Sequence, residues 1–381
     1  MLTRRLPNQS ILAALLTLTG LPALVGYHWW QWQRDSAMLA AKWPPPPAPP
    51  LDTWERLPHV NVLVAAWNEA AHITALIKSV LHLRYPHVHL VLCAGGVDGT
   101  YQRALAYTSE RVTVVEQPAG AGKQHALHLA LLRANGEIIF LTDADCVLND
   151  ATFEAVLYPV ATGQEAVCSG QTRPLPAQMR RPFVVAQAAP QLYSFLAMPD
   201  YASGLKGANT ALLRTTLATV GGFSHPAPSG TDYVLAKLLT RHGVRIRQAA
   251  LQLLATDFPE TVPTYLRQQR RWLRNVRCLD RAWAHPTRPA PRCVRRLVGA
   301  GMLLLPGVAV VGGEVWLAVW GLLIGHAWLS RWRYLRCAAH ILGTPCDARH
   351  VAYQLPMLLL DCVAWSQPLL DYLPHRKRWR W

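Results

Sequence analysis

The chain has few acidic residues and lacks several common signatures. It contains 22 Asp and Glu against 38 Lys and Arg, which gives a formal net charge of +16. Its eight cysteines form no CxxC pair and no zinc-ligand spacing. A disulfide framework and a zinc centre are therefore excluded, and we expect reduced, mostly buried cysteines on the cytosolic side. No segment repeats with a period of about 20–50 residues, so a solenoid is excluded as well.

Two nucleotide-binding patterns are incomplete. The stretch from Gly95 to Thr100 reads GGVDGT and is not the GxGxxG fingerprint, which argues against a dinucleotide site. The stretch from Gly120 to Lys123 reads GAGK and lacks the rest of the P-loop pattern, although glycines and a lysine before a helix can hold phosphate oxygens. The arginines flank apolar segments and no recognition motif is present, so we expect no nucleic-acid partner.

Long apolar segments lie near both ends of the chain. The run from Ile11 to Gly26 follows Arg4 and Arg5 and is itself followed by three tryptophans. This pattern predicts a retained membrane anchor over residues 1–30, with a signal-peptide core as the alternative. A proline-rich linker over residues 31–57 follows, with the polyproline run Pro44 to Pro50 as a semi-rigid spacer.

The second apolar region begins at Leu297. Residues 297–330 carry only Glu314 as a charge and predict a transmembrane hairpin that turns near Gly312 and Gly313. In the basic segment and tail, residues 331–381, a third membrane segment over about 351–373 is predicted. Its Asp361 and prolines also suit a re-entrant or surface-lying segment.

Basic residues flank this hairpin on both sides. Ten arginines lie between Arg267 and Arg296 against one acid, Asp280, and Arg331, Arg333 and Arg336 follow the hairpin. The positive-inside rule then predicts a multi-pass protein of the cell (inner) membrane with its catalytic body in the cytoplasm. The rule also favours a cytoplasmic location for Arg4, Arg5 and the basic tail from Arg376 to Arg380. Three or four simple crossings cannot place all of these basic segments in the cytoplasm.

The region between the membrane segments alternates between strand and helix patterns. Apolar β-prone runs begin at Val60, His89, Val112 and Ile138, and helical patterns over 70–83 and 122–132 lie between them. Such alternation predicts an α/β fold with a parallel, doubly wound sheet.

The run from Ile138 to Leu141 leads directly into Asp143-Ala144-Asp145. In an extended segment, residues i and i+2 project to the same side, at the carboxyl end of a strand where open α/β sheets bind ligands. Carboxylate oxygens suit a divalent cation that also takes phosphate oxygens. The motif predicts a metal–diphosphate site, and a solvated turn after a buried strand is the alternative.

Other polar residues are expected at the same edge. Asn68 and Glu69 end the first strand. They are expected either to bind the nucleoside or to cap the helix that follows. Asp232 lies at the start of a predicted helix. Its carboxylate is expected to act as a general base, or it is simply stabilised there by the helix dipole. Gln268, Arg271 and Trp272 share one helical turn, where tryptophan suits a sugar and arginine a diphosphate, although such a helix often faces lipid.

Together these motifs resemble family 2 glycosyltransferases of the GT-A fold, which has a Rossmann-like, mostly parallel sheet with helices on both faces. The closest resemblance is to the membrane-embedded type that includes cellulose, chitin and hyaluronan synthases. It rests on six motifs in order across about residues 58–280: Asn68-Glu69, Asp98-Gly99-Thr100, Gly122-Lys123, Asp143-Ala144-Asp145, Gly207-Ala208-Asn209 with Gly221-Gly222-Phe223, and Asp232 followed by the QxxRW signature Gln268, Arg271, Trp272. It implies a GT-A catalytic domain over residues 58–255 and interfacial helices over 256–296.

The resemblance also implies a role for each residue. Asp232 would be the catalytic base, and Asp143 and Asp145 would bind Mg²⁺ or Mn²⁺. The implied donor-binding residues are Asn68, Glu69, Asp98, Lys123, Asp143 and Arg271. The implied acceptor-binding residues are Gly207, Ala208, Asn209, Gln268 and Trp272.

Two positions depart from the family pattern. Cys93-Ala94-Gly95 stands where an Asp pair usually contacts the nucleobase, and Thr231 replaces the usual Glu before the base. The expected activity is inverting transfer of a sugar from a nucleotide-sugar donor to a growing polysaccharide, with membrane lipid around the enzyme. Single transfer to a lipid or polyprenyl phosphate, and a non-catalytic binding subunit that keeps the fold, are the alternatives.

Overall fold

The computed structural model describes residues 7–225, 227, 230–283 and 291–370. The chain divides into two compact units. We call Lys42–Ala177 with Ser194–Phe258 the sheet unit, and Met1–Ala41 with Gln178–Tyr193 and Pro259–Trp381 the helical unit.

The sheet unit contains one eight-stranded sheet in the order β3-β2-β1-β4-β7-β6-β8-β5. Its strands are β1 (Val60–Trp67), β2 (Val88–Gly95), β3 (Val112–Glu116), β4 (Ile138–Thr142), β5 (Cys146–Val147), β6 (Val167–Pro174), β7 (Asn209–Leu213) and β8 (Arg247–Thr256). Strands β1 to β4 pair in parallel, whereas β7 is antiparallel to both β4 and β6, and β5 is antiparallel to β8. Because β5 follows β4 after a short turn but lies at the far edge, the sheet curls.

Helices cover the strands of this unit. They are α2 (Ile73–Leu81), α3 (Thr100–Leu105), α4 (Gly122–Leu132), α5 (Asp150–Ala161), α7 (Arg214–Thr219) and α8 (Thr231–Arg241). Buried side chains of α2, α3 and α5 join alternate residues of β1, β2 and β4 in one apolar core around Phe140 and Phe153. The buried residues of α4 are not part of that core, and α4 packs against β1 and β2 from the other face. This burial of apolar surface is the main stabilising contribution to the unit.

The predicted α/β fold is therefore confirmed as a mixed, curled sheet. The four strands expected to be parallel are parallel, with β4 buried along its whole length. The expectation of a mostly parallel sheet fails for the second half, which is mixed. Its strand β6 contains the buried polar residues Ser169 and Gln171. The Ser169 hydroxyl lies 2.9 Å from the Thr210 hydroxyl of β7, and the Gln171 carbonyl accepts from Asn209 of β7.

The helical unit consists largely of long helices. These are α1 (Pro7–Lys42), α9 (Val262–Trp283), α10 (Pro291–Gly312), α11 (Glu314–Leu342), α12 (Ala348–Ala352) and α13 (Gln354–Leu370), joined by part of α6 (Pro182–Leu196). Helix α1 continues beyond the predicted anchor end at residue 30 because residues 31–42 contain no helix breaker. It stops before Pro44, which disfavours helical backbone at the preceding residue. Helices α10 and α11 meet at Gly313, whose φ of 91° favours glycine, so the turn is where it was predicted.

Two buried ion pairs tie these helices together. Arg333 of α11 donates to Asp35 of α1 at 2.8 Å, and Tyr193 of α6 donates to the same carboxylate at 3.0 Å. Arg331 of α11 and Tyr265 of α9 both donate to Asp361 of α13. Each ion pair is thus joined by a tyrosine that donates to the same buried aspartate.

By length and composition, one helix among the described residues can span a membrane, namely Gln9–Lys42, and Gly301–Gly312 is a shorter apolar helix. The helices expected over 297–330 and from 351 onward are present, and their membrane insertion stays a prediction. Arg4, Arg5, the last residues of the third predicted segment and the basic tail lie outside the described residues.

Candidate active site

The acid motif lies at the carboxyl end of β4. Asp143 and Asp145 follow this buried strand directly and are both half-buried. Lys123, in the first turn of α4, forms an ion pair with Asp143 Oδ1. Lys123 reaches the site because α4 begins at Gly122, where a φ of 75° turns the chain into the helix.

Glu69 adds a third carboxyl group to this edge. The pKa of Glu69 is raised to about 7, chiefly by burial and then by the nearby charge of Asp145, with a smaller contribution from Asp143 and against a lowering by His72. Burial and the neighbouring Asp143 also raise the pKa of Asp145. Acids that repel one another in this way bind a proton or a cation readily, since either relieves the repulsion.

These donors fit a divalent cation that is delivered with a diphosphate. Among residues in the described part of the chain, no three Asp, Glu, His or Cys side chains are grouped closely enough to enclose an ion. Mg²⁺ is commonly held by one or two carboxylates together with water and substrate phosphates, so two aspartates suffice for such a site. Asp143 and Asp145 are the residues that would hold it.

Asp232 reaches the same place from another element. It lies in the first turn of α8, after Gly230 with a φ of 73°, and its Oδ1 accepts from the N–H of Tyr233 at 2.8 Å. Burial acts to lower the pKa of Lys123, but the charges of Asp143, Asp232 and Asp145 outweigh it and the pKa is raised. All three acids therefore lie near enough to act on the charge of one lysine, and Lys123, Thr142, Gly207 and Asp232 line a common small pocket.

Gly207 leaves room for Asp232. A Cβ atom on Gly207 would lie 3.0 Å from the Cβ of Asp232, which is closer than side chains normally pack. Its neighbour Ala208 is buried, and the carbonyl of Ala208 accepts from the hydroxyl of Thr142 at 3.0 Å. This segment therefore fixes the position of the α8 carboxylate, and roles of Gly207 and Ala208 in acceptor binding stay predictions.

Asn209 is fully buried inside the sheet. Its Nδ2 donates to the carbonyls of Gln171 at 2.9 Å and Gln252 at 3.1 Å, so the side chain joins β7 to β6 and β8. Acceptor binding by Asn209 stays a prediction, and its structural role is evident.

Asn68 and Asp98 connect the loops after β1 and β2. Asn68 has a φ of 58°, and its Oδ1 accepts from the N–H of Val97 at 2.8 Å. Asp98 accepts from the N–H of Ala70 at 3.0 Å and from Thr100, and the Thr100 hydroxyl is the main cause of the lowered pKa of Asp98. Asn68 thus does not cap α2, whose N-cap is His72. Donor binding by Asn68, Glu69 and Asp98 stays a prediction.

The QxxRW residues belong to the helical unit. Gln268, Arg271 and Trp272 share one turn of α9, as predicted, with Arg271 exposed and the other two half-buried. Tyr265, one turn earlier, anchors this helix through the buried carboxylate of Asp361. The binding roles of these three residues stay predictions.

Three residues beside the acids were not singled out from the sequence. Asp257 follows β8, and its carboxylate lies 4.0 Å from the ring of His72. Thr256, the last residue of β8, pairs with Cys146, the residue that follows Asp145. The only sequence signal was a Thr-Asp pair followed by Pro259, which marks a strand end without indicating which strand it joins.

The fold and the arrangement of acids at its edge define an α/β protein of the GT-A type. Residues 58–275 match the family described as glycosyltransferase like family 2, and since this is more than half of the chain, the chain belongs to that family.

Individual relatives are distant. The probable glycosyltransferase YdaM of Bacillus subtilis (strain 168) is 24% identical over 238 residues, which cover 58% of this chain and 56% of that protein. The chain thus spans little more than half the length of this curated relative. The solved structure of mannosyltransferase PcManGT from Pyrobaculum calidifontis, in complex with GDP-Man and Mn²⁺, has a TM-score of 0.52 at 20% identity and covers 96% of this chain and 99% of that one. This likeness shows a shared fold.

Proposed function

We propose that the protein is a membrane-bound, inverting glycosyltransferase that uses a nucleotide-sugar donor and Mg²⁺ or Mn²⁺. The observation that carries this proposal is the convergence of Asp143, Asp145 and Asp232 on Lys123 at the carboxyl edge of the sheet. A site with two acids beside a lysine suits a metal-bound diphosphate, and a third acid on a different helix suits a base. That PcManGT was solved with GDP-Man and Mn²⁺ agrees with this choice of ligands.

The chemistry follows from where these charges lie. Asp232 takes the proton from an acceptor hydroxyl, which attacks the anomeric carbon as the nucleoside diphosphate leaves from the opposite side. Lys123 faces negative charge on the departing phosphates, and Arg271 is proposed to do the same from α9. A bound divalent cation would supply further positive charge for the leaving group.

The nucleobase is proposed to stack on Trp67. The end of β2 carries no carboxylate: Cys93 and Ala94 are buried, and a Cβ atom on Gly95 would lie 2.8 Å from Cζ3 of Trp67. Trp67 is 37% exposed at the end of β1. An exposed aromatic face binds a base by stacking and does not require the missing acids.

Membrane insertion is supported by the outer surface of the helical unit. Large apolar side chains are exposed on four of its helices, including Leu18 of α1, Val311 of α10, Leu317 of α11 and Leu359 of α13. The charges of Asp35, Arg333, Arg331 and Asp361 are instead buried between the helices. Apolar residues outside and paired charges inside are the arrangement expected in lipid.

The packing of α1 against α11 supports one orientation. The two helices run in parallel, because Gly20 packs against Leu322, His28 lies 3.2 Å from His326, and Asp35 pairs with Arg333. The Gln9 end of α1 therefore lies beside the Gly313 turn. Trp32 and Trp332 contact each other at the opposite end, with Arg336 3.7 Å from the Trp32 ring, as at a cytoplasmic interface.

A labelling experiment tests this orientation. In intact cells, an impermeant maleimide should modify a Gln9→Cys variant before lysis and the exposed native Cys346 only after lysis. Modification of both sites only after lysis would contradict the orientation.

For the acceptor, we propose a growing polysaccharide, with single transfer to a lipid or polyprenyl phosphate as the alternative. Trp272 and Gln268 on the amphipathic helix α9 suit a sugar chain. Membranes incubated with labelled nucleotide sugars should give a ladder or a high-mass product. One organic-extractable glycolipid would instead establish the alternative.

Asp232→Asn tests catalysis itself. The parent should turn over a labelled donor only with Mg²⁺ or Mn²⁺ present, and the variant should lose nearly all turnover while still binding donor. Equal rates in parent and variant would remove Asp232 as the base, and no turnover of any donor by the parent would favour a binding subunit.

A further inference from the structure

The carboxyl ends of the first three strands bring Trp67, Gly95 and Gln117 into one row. Trp67 of β1 is the register partner of Gly95 of β2. Ala94 is the register partner of Glu116 at the end of β3, so Gln117, the next residue, lies beside Gly95. The N–H of Gln117 donates to the carbonyl of Ala94 at 2.8 Å, which continues the pairing past the end of β3. Because residues in register on neighbouring strands project to the same side, the three positions share one face of the sheet.

Gly95 allows the two side chains beside it to approach each other. A Cβ atom on Gly95 would lie 2.8 Å from Cζ3 of Trp67 and 3.0 Å from the Cβ of Gln117. The Trp67 ring and the Gln117 side chain therefore meet over a residue that has no side chain of its own. Trp67 is 37% exposed, and exposed side chains change rotamer rapidly. When the ring turns outward, the absence of a side chain on Gly95 leaves an open slot beside Gln117.

The amide of Gln117 is buried, and its oxygen has no partner. Gln117 is only 5% exposed, and within the described ranges its Oε1 accepts no hydrogen bond. A buried acceptor that is left unpaired reduces stability, so it calls for a ligand that supplies the donor. The end of β2 thus lacks the usual Asp pair, but a neutral amide lies one strand away.

We propose that Gln117 recognises the donor's nucleobase, through hydrogen bonds between its amide and the edge of a base that stacks on Trp67. The inference rests on the proposed function, in which Trp67 binds that base. Stacking tolerates every base, because every base has an aromatic face. The bases differ in the order of donors and acceptors along their edges, and a glutamine amide offers one acceptor and two donors. The hydrogen bonds at Gln117 therefore provide the selection among bases.

The test compares nucleoside diphosphates that differ only in the base. The purified full chain in detergent is titrated by calorimetry with UDP, GDP, ADP and CDP, with Mn²⁺ present throughout. The parent should bind its preferred diphosphate about tenfold or more tightly than the least favoured one, because a mismatched base leaves the buried amide unpaired. Gln117→Met, which keeps the length of the side chain and loses the amide, should bind all four with similar affinity.

Two controls separate base recognition from folding and from diphosphate binding. Gln248 of β8 is another buried glutamine, and its Nε2 donates to the carbonyl of Gly204 at 2.9 Å. Gln248→Met should keep the parent's order of affinities. Inorganic pyrophosphate with Mn²⁺ should bind equally to the parent and to Gln117→Met, because pyrophosphate carries no base.

The possible results are distinguishable. Equal affinity of the parent for all four diphosphates overturns the inference, and so does a base preference that Gln117→Met retains. A preference that is lost together with pyrophosphate binding also overturns it, because the substitution then disturbs the whole site. None of these results removes the proposed function. A parent that binds no diphosphate overturns the donor site of the proposed function and this inference with it.

Discussion

The buried acids of the helical unit and the acids at the carboxyl edge of the sheet have opposite surroundings. In the helical unit, Asp35 and Asp361 are each matched by an arginine and a tyrosine. In the sheet unit, Glu69 and Asp145 lie near other acids, and repulsion adds to burial in raising the pKa of both.

This difference separates structural charge from functional charge. A paired buried aspartate holds helices together, because removing it leaves an uncompensated arginine. Acids that repel one another reduce stability, and such groups accumulate where a ligand supplies the missing charge. Aspartate therefore stabilises helix packing in the helical unit and forms a candidate cation site in the sheet unit.

The largest expected effect is on the helical unit. Asp361→Asn should destabilise the protein by about 3–5 kcal/mol, because Arg331 loses its partner in a buried setting. Thermal unfolding in detergent measures this loss. Asp145→Asn in EDTA should show no comparable loss, since repulsion falls when that charge is removed.

A double variant sharpens this first prediction. Replacing Arg331 and Asp361 together by Met and Leu should recover most of the stability, since a buried pair contributes little over apolar packing. A double variant as unstable as Asp361→Asn would mean that packing, and not the lone charge, causes the loss.

The next effect concerns the position of the base in the sheet unit. Gly207→Ala places a methyl group 3.0 Å from the Cβ of Asp232, so the carboxylate must shift. We expect kcat to fall by about tenfold with little change in KM for the donor, since small displacements of a catalytic group are costly. Gly204→Ala is the matched control, because no atom lies within 4 Å of its added Cβ. Similar rates for both variants would show that Asp232 tolerates the shift.

The sequence predicts the first half of the sheet unit well and the second half poorly. Strands β1 to β4 and helix α4 follow local periodicity, and α4 has the bounds that were predicted, Gly122–Leu132. Strand β6 carries polar residues whose hydrogen-bond partners lie far along the chain, so no local pattern reveals it.

The candidate site divides in the same way. Asp143, Asp145 and Asp232 were found because each follows a local signal, a buried strand or a helix start. Thr256 was not found, because its position opposite Cys146 depends on the pairing of β5 with β8 across the sheet. Asp361 was noticed only as an interruption of an apolar segment, since its partners lie on α11 and α9.

The smallest expected effect tests the repulsion directly through pH. The pKa of Glu69 is raised from 4.5 to about 7 in the folded chain, so its ionisation opposes folding. The penalty is absent below pH 4.5, grows as pH rises and is complete above about pH 7. Glu69→Gln should therefore increase the free energy of unfolding at pH 8 by about 1 kcal/mol, after allowance for partial exposure. In EDTA this gain should raise the Tm at pH 8 by a few degrees and leave the Tm at pH 4.5 unchanged. Glu110→Gln, on an exposed loop, controls for net charge. Because a bound cation offsets the same repulsion, added Mn²⁺ should reduce the gain in Tm at pH 8. A gain in Tm that is independent of pH would show that Glu69 is not repelled by neighbouring acids.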